Sequence, residues 1–224
     1  MTSHIKAATA LALGLGLVGV ATAQTAGTLL VRAGITQIRP DVTSGDLTAP
    51  SFVGTKADIE SSTKPTAGLT YMVSDSFSLD LPLALGFRHD IVGDGAIAGV
   101  GKIGEVKALP ITLLAQYRFG RPGSFVRPYL GIGPTYAKFY KARSTAVLTG
   151  LTGGTPTTPT TLSVESKWTA SFQAGVSWMV TPSIFVDATV LKTPLKTRTT
   201  LSTGQTLDAK LDPMSVQLAV GWKF

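Results

Sequence analysis

The sequence predicts an all-β fold: an eight-stranded antiparallel transmembrane β-barrel with long extracellular loops and short periplasmic turns. Three observations predict it. Large apolar residues alternate with small or polar ones over eight separate segments. Tight and long connections alternate between those segments. The chain closes on Val220-Gly221-Trp222-Lys223-Phe224, an alternating strand with a terminal aromatic. Strict period two excludes helix, whose faces repeat every 3.6 residues.

The first element is a leader. His4 and Lys6 precede an apolar run from Ala7 to Val20, and Ala21-Thr22-Ala23 matches a small-x-small cleavage pattern. Residues 1–23 read as a cleaved signal peptide and residues 24–224 as one barrel domain. A retained anchor is the rival, but the run is short and ends in a cleavage site.

The clearest strand is Phe77 to Arg88, where every odd position is large and apolar and every even one is small, polar or charged. The other seven are Thr28 to Ile38, Pro65 to Val73, Val106 to Phe119, Phe125 to Phe139, Lys167 to Val180, Ile184 to Thr193 and Pro213 to Phe224. Each suffices for the roughly 9–11 tilted residues of a bilayer crossing. Tyr71, Phe77, Phe87, Tyr117, Phe119, Trp168, Trp178, Trp222 and Phe224 fall near the ends of the outward stripes, as an interfacial girdle requires. Pro82, Pro110 and Pro128 predict gaps or bulges in the ladder.

Connections at 74–76, 120–124 and 181–183 are tight, whereas 40–64, 89–105, 141–166 and 194–212 are long. Short turns face the periplasm and long loops the exterior. The Thr-, Gly- and Pro-rich stretch 149–161 reads as a mobile loop.

The chain has no cysteine, which excludes thiolate zinc sites and thiol nucleophiles. Loss of Lys6 with the leader lowers the formal charge from +7 to +6. In an exported chain that surplus points to an anionic lipid surface and not to nucleic acid. Residues 24–224 hold one histidine, His89, and its neighbour Asp90 points to the opposite face of a strand. No catalytic pair, metal site or cofactor motif is predicted, so the chain is read as no enzyme. His89 and Asp90 are expected to shape the junction of the third strand with its loop.

Val31-Arg32-Ala33-Gly34-Ile35-Thr36, Leu69-Thr70-Tyr71-Met72-Val73 and Gly86-Phe87-Arg88-His89-Asp90-Ile91 resemble the OmpW family of outer-membrane proteins. So do Val106-Lys107-x-Leu109-Pro110, Arg127-Pro128-Tyr129 and Leu211-Asp212-Pro213, and the ordered set spans the chain from Gly27 to Phe224. The resemblance implies a barrel with a hydrophobic interior channel, open sideways between strands, for passage of small hydrophobic molecules. Ala108 stands where the family often carries His, and Met214-Ser215 replace a Trp-containing stretch.

Four groups of site residues follow. Ile38, Phe52, Val53, Met72 and Leu191 are expected to form an apolar funnel in the exterior half. Asp80, Arg118, Arg127 and Asp187 are expected to pair as a charged floor. Lys138, Lys141, Arg143, Lys192, Lys196 and Arg198 are expected at a rim facing lipopolysaccharide phosphates. Trp222 and Phe224 are the assembly signal for the barrel-insertion machinery. The function expected is a monomer that captures a small hydrophobic solute in the funnel and releases it laterally into the membrane. The alternative is a surface-interaction or membrane-organising barrel without transport.

Overall fold

The computed structural model describes residues 24–224. The leader and its cleavage site lie outside the described residues. Eight crossings are built from fifteen strands, because most crossings kink or extend beyond the bilayer. The first is β1 (Leu29–Arg39), followed by a short β2 (Thr43–Ser44). The second joins β3 (Thr55–Ile59) to β4 (Ser62–Met72), the third β5 (Phe77–Ala84) to β6 (Phe87–Gly95), and the fourth β7 (Lys102–Thr112) to β8 (Leu114–Arg118). The fifth is β9 (Val126–Ser144), which leads into helix α1 (Ala146–Leu151). The sixth is β10 (Leu162–Val164) and β11 (Lys167–Met179), the seventh β12 (Ile184–Lys192) and β13 (Lys196–Leu201), and the eighth β14 (Thr206–Lys210) and β15 (Met214–Lys223).

The sheet closes in the order β1-β4-β5-β8-β9-β11-β12-β15 and back to β1, with every neighbour antiparallel. Closure pairs each ring strand on both sides over much of its length, the arrangement a hydrocarbon environment favours. At the sequence ends, Leu29 and Phe224 exchange backbone hydrogen bonds of 3.0 and 2.8 Å. Above this ring, β3, β6 and β7 continue the wall, and β2, β10, β13 and β14 form a separate four-stranded sheet.

The orientation of the stripes is as predicted. Leu83 and Leu85 are 40% and 81% exposed, while Asp80 between the stripes is fully buried. Ile35, Leu130, Ile132 and Leu218 are also exposed. On a water-soluble protein that belt would be a liability, but hydrocarbon requires it.

Two local expectations fail. Phe87 leaves the outward stripe: the crossing breaks at Leu85-Gly86, and Phe87 restarts β6 facing inward, 1% exposed. The break shifts the phase of everything beyond it by one residue, which exchanges the two faces. The Thr-rich stretch is folded. Thr145 Oγ1 caps α1 by accepting from the Leu148 amide at 3.4 Å, and Thr152 Oγ1 donates to the Leu148 carbonyl at 2.7 Å. These hydroxyls satisfy the backbone locally, and Leu148 and Leu162 are buried as a result.

Among the described residues the wall is unzipped between β5/β6 and β7/β8. β5 pairs with β8 only from Phe77↔Tyr117 to Asp80↔Leu114. β6 meets β7 only from Phe87↔Ala108 upward. Between them, residues 81–86 and 109–113 share no backbone hydrogen bond among the described residues. Pro82 and Pro110 lie in this stretch and have no N–H to offer.

Candidate functional site: the lumen

The lower lumen is filled by polar side chains. Arg32 on β1 grips Asp80 on β5 with both terminal nitrogens, at 2.6 and 2.9 Å. Thr70 Oγ1 and Gln173 Nε2 also donate to Asp80, at 2.6 and 3.2 Å. Gln116 Nε2 donates to Gln173 Oε1 at 2.6 Å, and Arg118 Nη2 donates to Gln116 Oε1 at 2.9 Å. Arg118 Nη1 reaches Ser177 Oγ at 3.2 Å, and Ser177 donates to Asp187 at 2.7 Å. Tyr129 and Thr189 donate to the same carboxylate at 2.9 and 2.7 Å. The Arg118 guanidinium sits 4.6 Å from the Tyr129 ring centre, a cation–π contact. One hydrogen-bonded chain therefore crosses the lumen from β1 to β12.

All four predicted floor residues are buried inside the lower lumen. They do not pair as two acids with two bases. The interior ion pair is Arg32–Asp80, and Arg32 was absent from the predicted set. Asp187 is satisfied by three hydroxyls, and Arg118 by neutral side chains. Arg127 sits nearer the periplasm, where it donates to the Gln24 and Asp75 carbonyls at 2.9 and 2.6 Å. Neutral partners replace charges because Ser, Thr, Tyr and Gln reach the same carboxylates from neighbouring strands. Met72, Leu30 and Phe185 cluster with Met179 at the periplasmic end. Met72 therefore belongs to the bottom seal and not to the exterior funnel, since β4 descends to the short turn at 73–76.

A layer of hydroxyls lies above the charged chain. Thr112, Thr135, Ser171 and Thr193 are linked by contacts of 2.8, 2.6 and 2.8 Å. Gln217 Nε2 donates to Thr66 and Thr36 at 2.8 and 3.2 Å.

Above that layer the lumen becomes apolar and hollow. A lower cavity of ≈ 70 Å³ is bounded by Ile38, Ala108, Pro110, Ala137, Leu191 and His89, with Thr135 and Thr193 in its floor. An upper cavity of ≈ 80 Å³ is bounded by Ile91, Ile97, Ile103, Leu148 and Leu201, and reaches the surface at Phe52 and Lys56. By the same measure one water needs roughly 10–15 Å³, so each has room for several heavy atoms. Ile59, Val106, Phe139 and Leu211 line both cavities and form the partition between them. Of the predicted funnel, Ile38 and Leu191 line the lower cavity and Phe52 the upper. Val53 points away, 94% exposed, because residues 53–54 form the turn that leads into β3. The sequence reading missed Val106, Ala137, Phe139 and Leu211. Each lies in or beside a strand, but the kinks that aim them into one space leave no mark on the period.

The predicted rim bases divide. Arg198 is held by Asp208 through two bonds of 2.7 and 2.8 Å, and Lys192 donates to the Asp212 carbonyl at 2.6 Å. Lys138, Lys141, Arg143 and Lys196 are exposed and have no ion pair among the described residues. Near the top of β7, Glu105 accepts from Lys102 at 2.9 Å and from Arg88, which together hold its carboxyl down at about 2.

A closed ring of eight strands, a lipid-facing apolar belt and a plugged, half-apolar lumen define an outer-membrane β-barrel. The sequence profile described as the OmpW family matches residues 25–224. The chain belongs to the OmpW family. It is 33% identical over 218 residues to outer membrane protein W of Salmonella typhi, covering 96% of this chain and 97% of that protein. Against outer membrane protein W of Vibrio cholerae the identity is 30% over 204 residues, covering 88% and 89%. Among solved structures, OprG from Pseudomonas aeruginosa superposes with a TM-score of 0.79 at 26% identity, covering 90% of this chain and 98% of that one. The solution structure of outer membrane protein W from E. coli gives 0.53 at 28% identity, covering 89% and 99%. The protein is thus placed in the outer membrane of a Gram-negative cell, in contact with its lipid.

Proposed function

We propose that the barrel admits small hydrophobic molecules through its apolar upper lumen and releases them sideways into the membrane between β5 and β7. The observation that carries this is the junction of cavity and wall. The lower cavity touches Pro110, which lies in a stretch where the described wall has no ladder. Straight passage is opposed by the hydroxyl layer and the Arg32–Asp80 chain, where an apolar solute would have to break satisfied buried polar contacts. Lateral exit into hydrocarbon costs no such desolvation.

Export by residues 1–23, recognition of Trp222 and Phe224 by the insertion machinery, and a monomeric state complete this reading. Lys138, Lys141, Arg143 and Lys196 face lipopolysaccharide phosphates, with Lys192 and Arg198 partly neutralised behind them. A second reading, a surface-interaction barrel without transport, is favoured by the four-stranded sheet standing outside the bilayer.

Uptake of a hydrophobic probe by bacteria bearing the protein separates the two. Leu191→Asp puts an unpaired carboxylate in the lower cavity and should abolish protein-dependent uptake while the barrel still folds. Pro82→Ala with Pro110→Ala restores two ladder donors and should slow uptake by closing the wall. Unchanged uptake in both variants would overturn the cavity route and the lateral exit, and absence of protein-dependent uptake in the unaltered protein would leave the second reading.

A further inference from the structure

His89 is a polar group in the wall of the lower cavity, and neither the plug nor the ion pairs use it. It faces inward from β6, opposite Val106 on β7, and is 4% exposed. Its Nδ1 lies 2.8 Å from the backbone oxygen of Glu60. A carbonyl only accepts, so Nδ1 carries the proton, and the neutral ring leaves a bare lone pair at Nε2. Nε2 has no hydrogen-bond partner among the described residues. Nor is it one of the sealed atoms without partners, which are Thr55 Oγ1 and Arg127 Nε. Nε2 therefore keeps accessible surface, and the cavity that His89 lines is the space within its reach.

The remaining polar groups there do not compete for this role. The hydroxyls of Thr135 and Thr193 are spent on the hydroxyl chain. Ser215 also lines the cavity, but a hydroxyl rotates to donate or accept and does not discriminate.

We infer that His89 is a specificity-determining residue, and that the preferred solute is a small apolar molecule bearing one O–H or N–H donor. This rests on the cavity being the solute route proposed above. The donor pairs with Nε2 while the apolar body fills the space beside Ile38, Val106 and Leu191. The same skeleton without a donor leaves Nε2 desolvated and unpaired, and a site built around a hydrogen bond rejects such an analogue.

The test compares uptake of 4-ethylphenol and its methyl ether, 4-ethylanisole, each corrected for cells that lack the protein. The phenol should enter roughly tenfold faster, the worth of one hydrogen bond kept against one lost. In His89→Asn the amide nitrogen can take the place of Nδ1 on the Glu60 carbonyl, while no acceptor remains at the Nε2 position. The preference should then vanish, phenol uptake falling and ether uptake rising as the unpaired acceptor is removed. If this variant fails to reach the membrane, His89→Phe, which keeps a ring, is read in the same way. Equal protein-dependent rates for the two solutes in the unaltered protein would overturn the assignment while transport stands. So would an equal fall for both solutes in His89→Asn. Absence of protein-dependent entry for either solute would instead remove the transport proposal beneath it.

Discussion

Below the hydroxyl layer, β1, β5, β8, β11 and β12 send Arg32, Asp80, Arg118, Gln173 and Asp187 into one crowded plane. Above it the same crossings, continued by β6, β7 and β13, send in Ile38, Ile91, Val106 and Leu201 around two cavities. An eight-stranded ring is only just wide enough for its own side chains. In the lower half those side chains hydrogen-bond across the axis and leave no path. In the upper half the wall departs from the ring, by the breaks at Leu85-Gly86 and Leu113 and by register shifts at Ile91/Val92 and Glu105/Lys107. Apolar side chains that cannot reach across the widened space leave it empty. The difference teaches that the plug follows from a regular ring and the cavity from its irregularities.

Three changes would sharpen this contrast. The largest effect is expected in the plug. Asp80→Leu leaves Arg32 buried with no opposing charge, which should cost about 3–5 kcal/mol. Urea unfolding in lipid vesicles would measure it, and a loss under about 1 kcal/mol would mean that water or neutral partners already satisfy Arg32. A middling effect is expected at the partition. Val106→Ala merges the two cavities at a cost of up to about 2 kcal/mol, and should admit bulkier solutes. An unaltered size limit in the uptake assay would place the constriction elsewhere.

The smallest effect lies outside the bilayer, at Glu105. Its carboxyl, held below the ordinary value of 4.5 by Lys102 and Arg88, favours the folded rim above that value. The contribution fades as pH falls toward about 2. Its two basic partners are solvent-accessible and screened, so the contribution is slight. Melting curves in detergent at pH 7 and pH 3 should show a slightly larger loss for the unaltered protein than for Glu105→Gln. Identical losses would remove Glu105 as a contributor.

The plug was more legible than the cavity. Asp80 stands out because it interrupts Leu79 and Leu81, and period two alone turns it inward. Arg127 and Asp187 are legible in the same way. Their partners were not, since Arg32 pairs with a residue 48 positions away and Gln173 with one 93 away. Phe87 shows the limit of the pattern. Its place in an apparently unbroken alternation predicts a lipid-facing ring, and one backbone break reverses it. The sequence places His89 at a loop junction, because nothing beside it in sequence discloses Glu60, Val106 or the cavity.

The sequence by itself determined the number of crossings, which face of each meets lipid, the short and long ends and the family. These properties are encoded locally, in alternation, turn residues and ordered motifs, and bilayer physics permits few ways to satisfy them. Only the tertiary structure decided which buried charges meet, where the ladder fails, that the Thr-rich segment is folded and where the lumen is hollow. Those outcomes depend on register and kinks between strands far apart in the chain, and on whether side chains from opposite walls can touch.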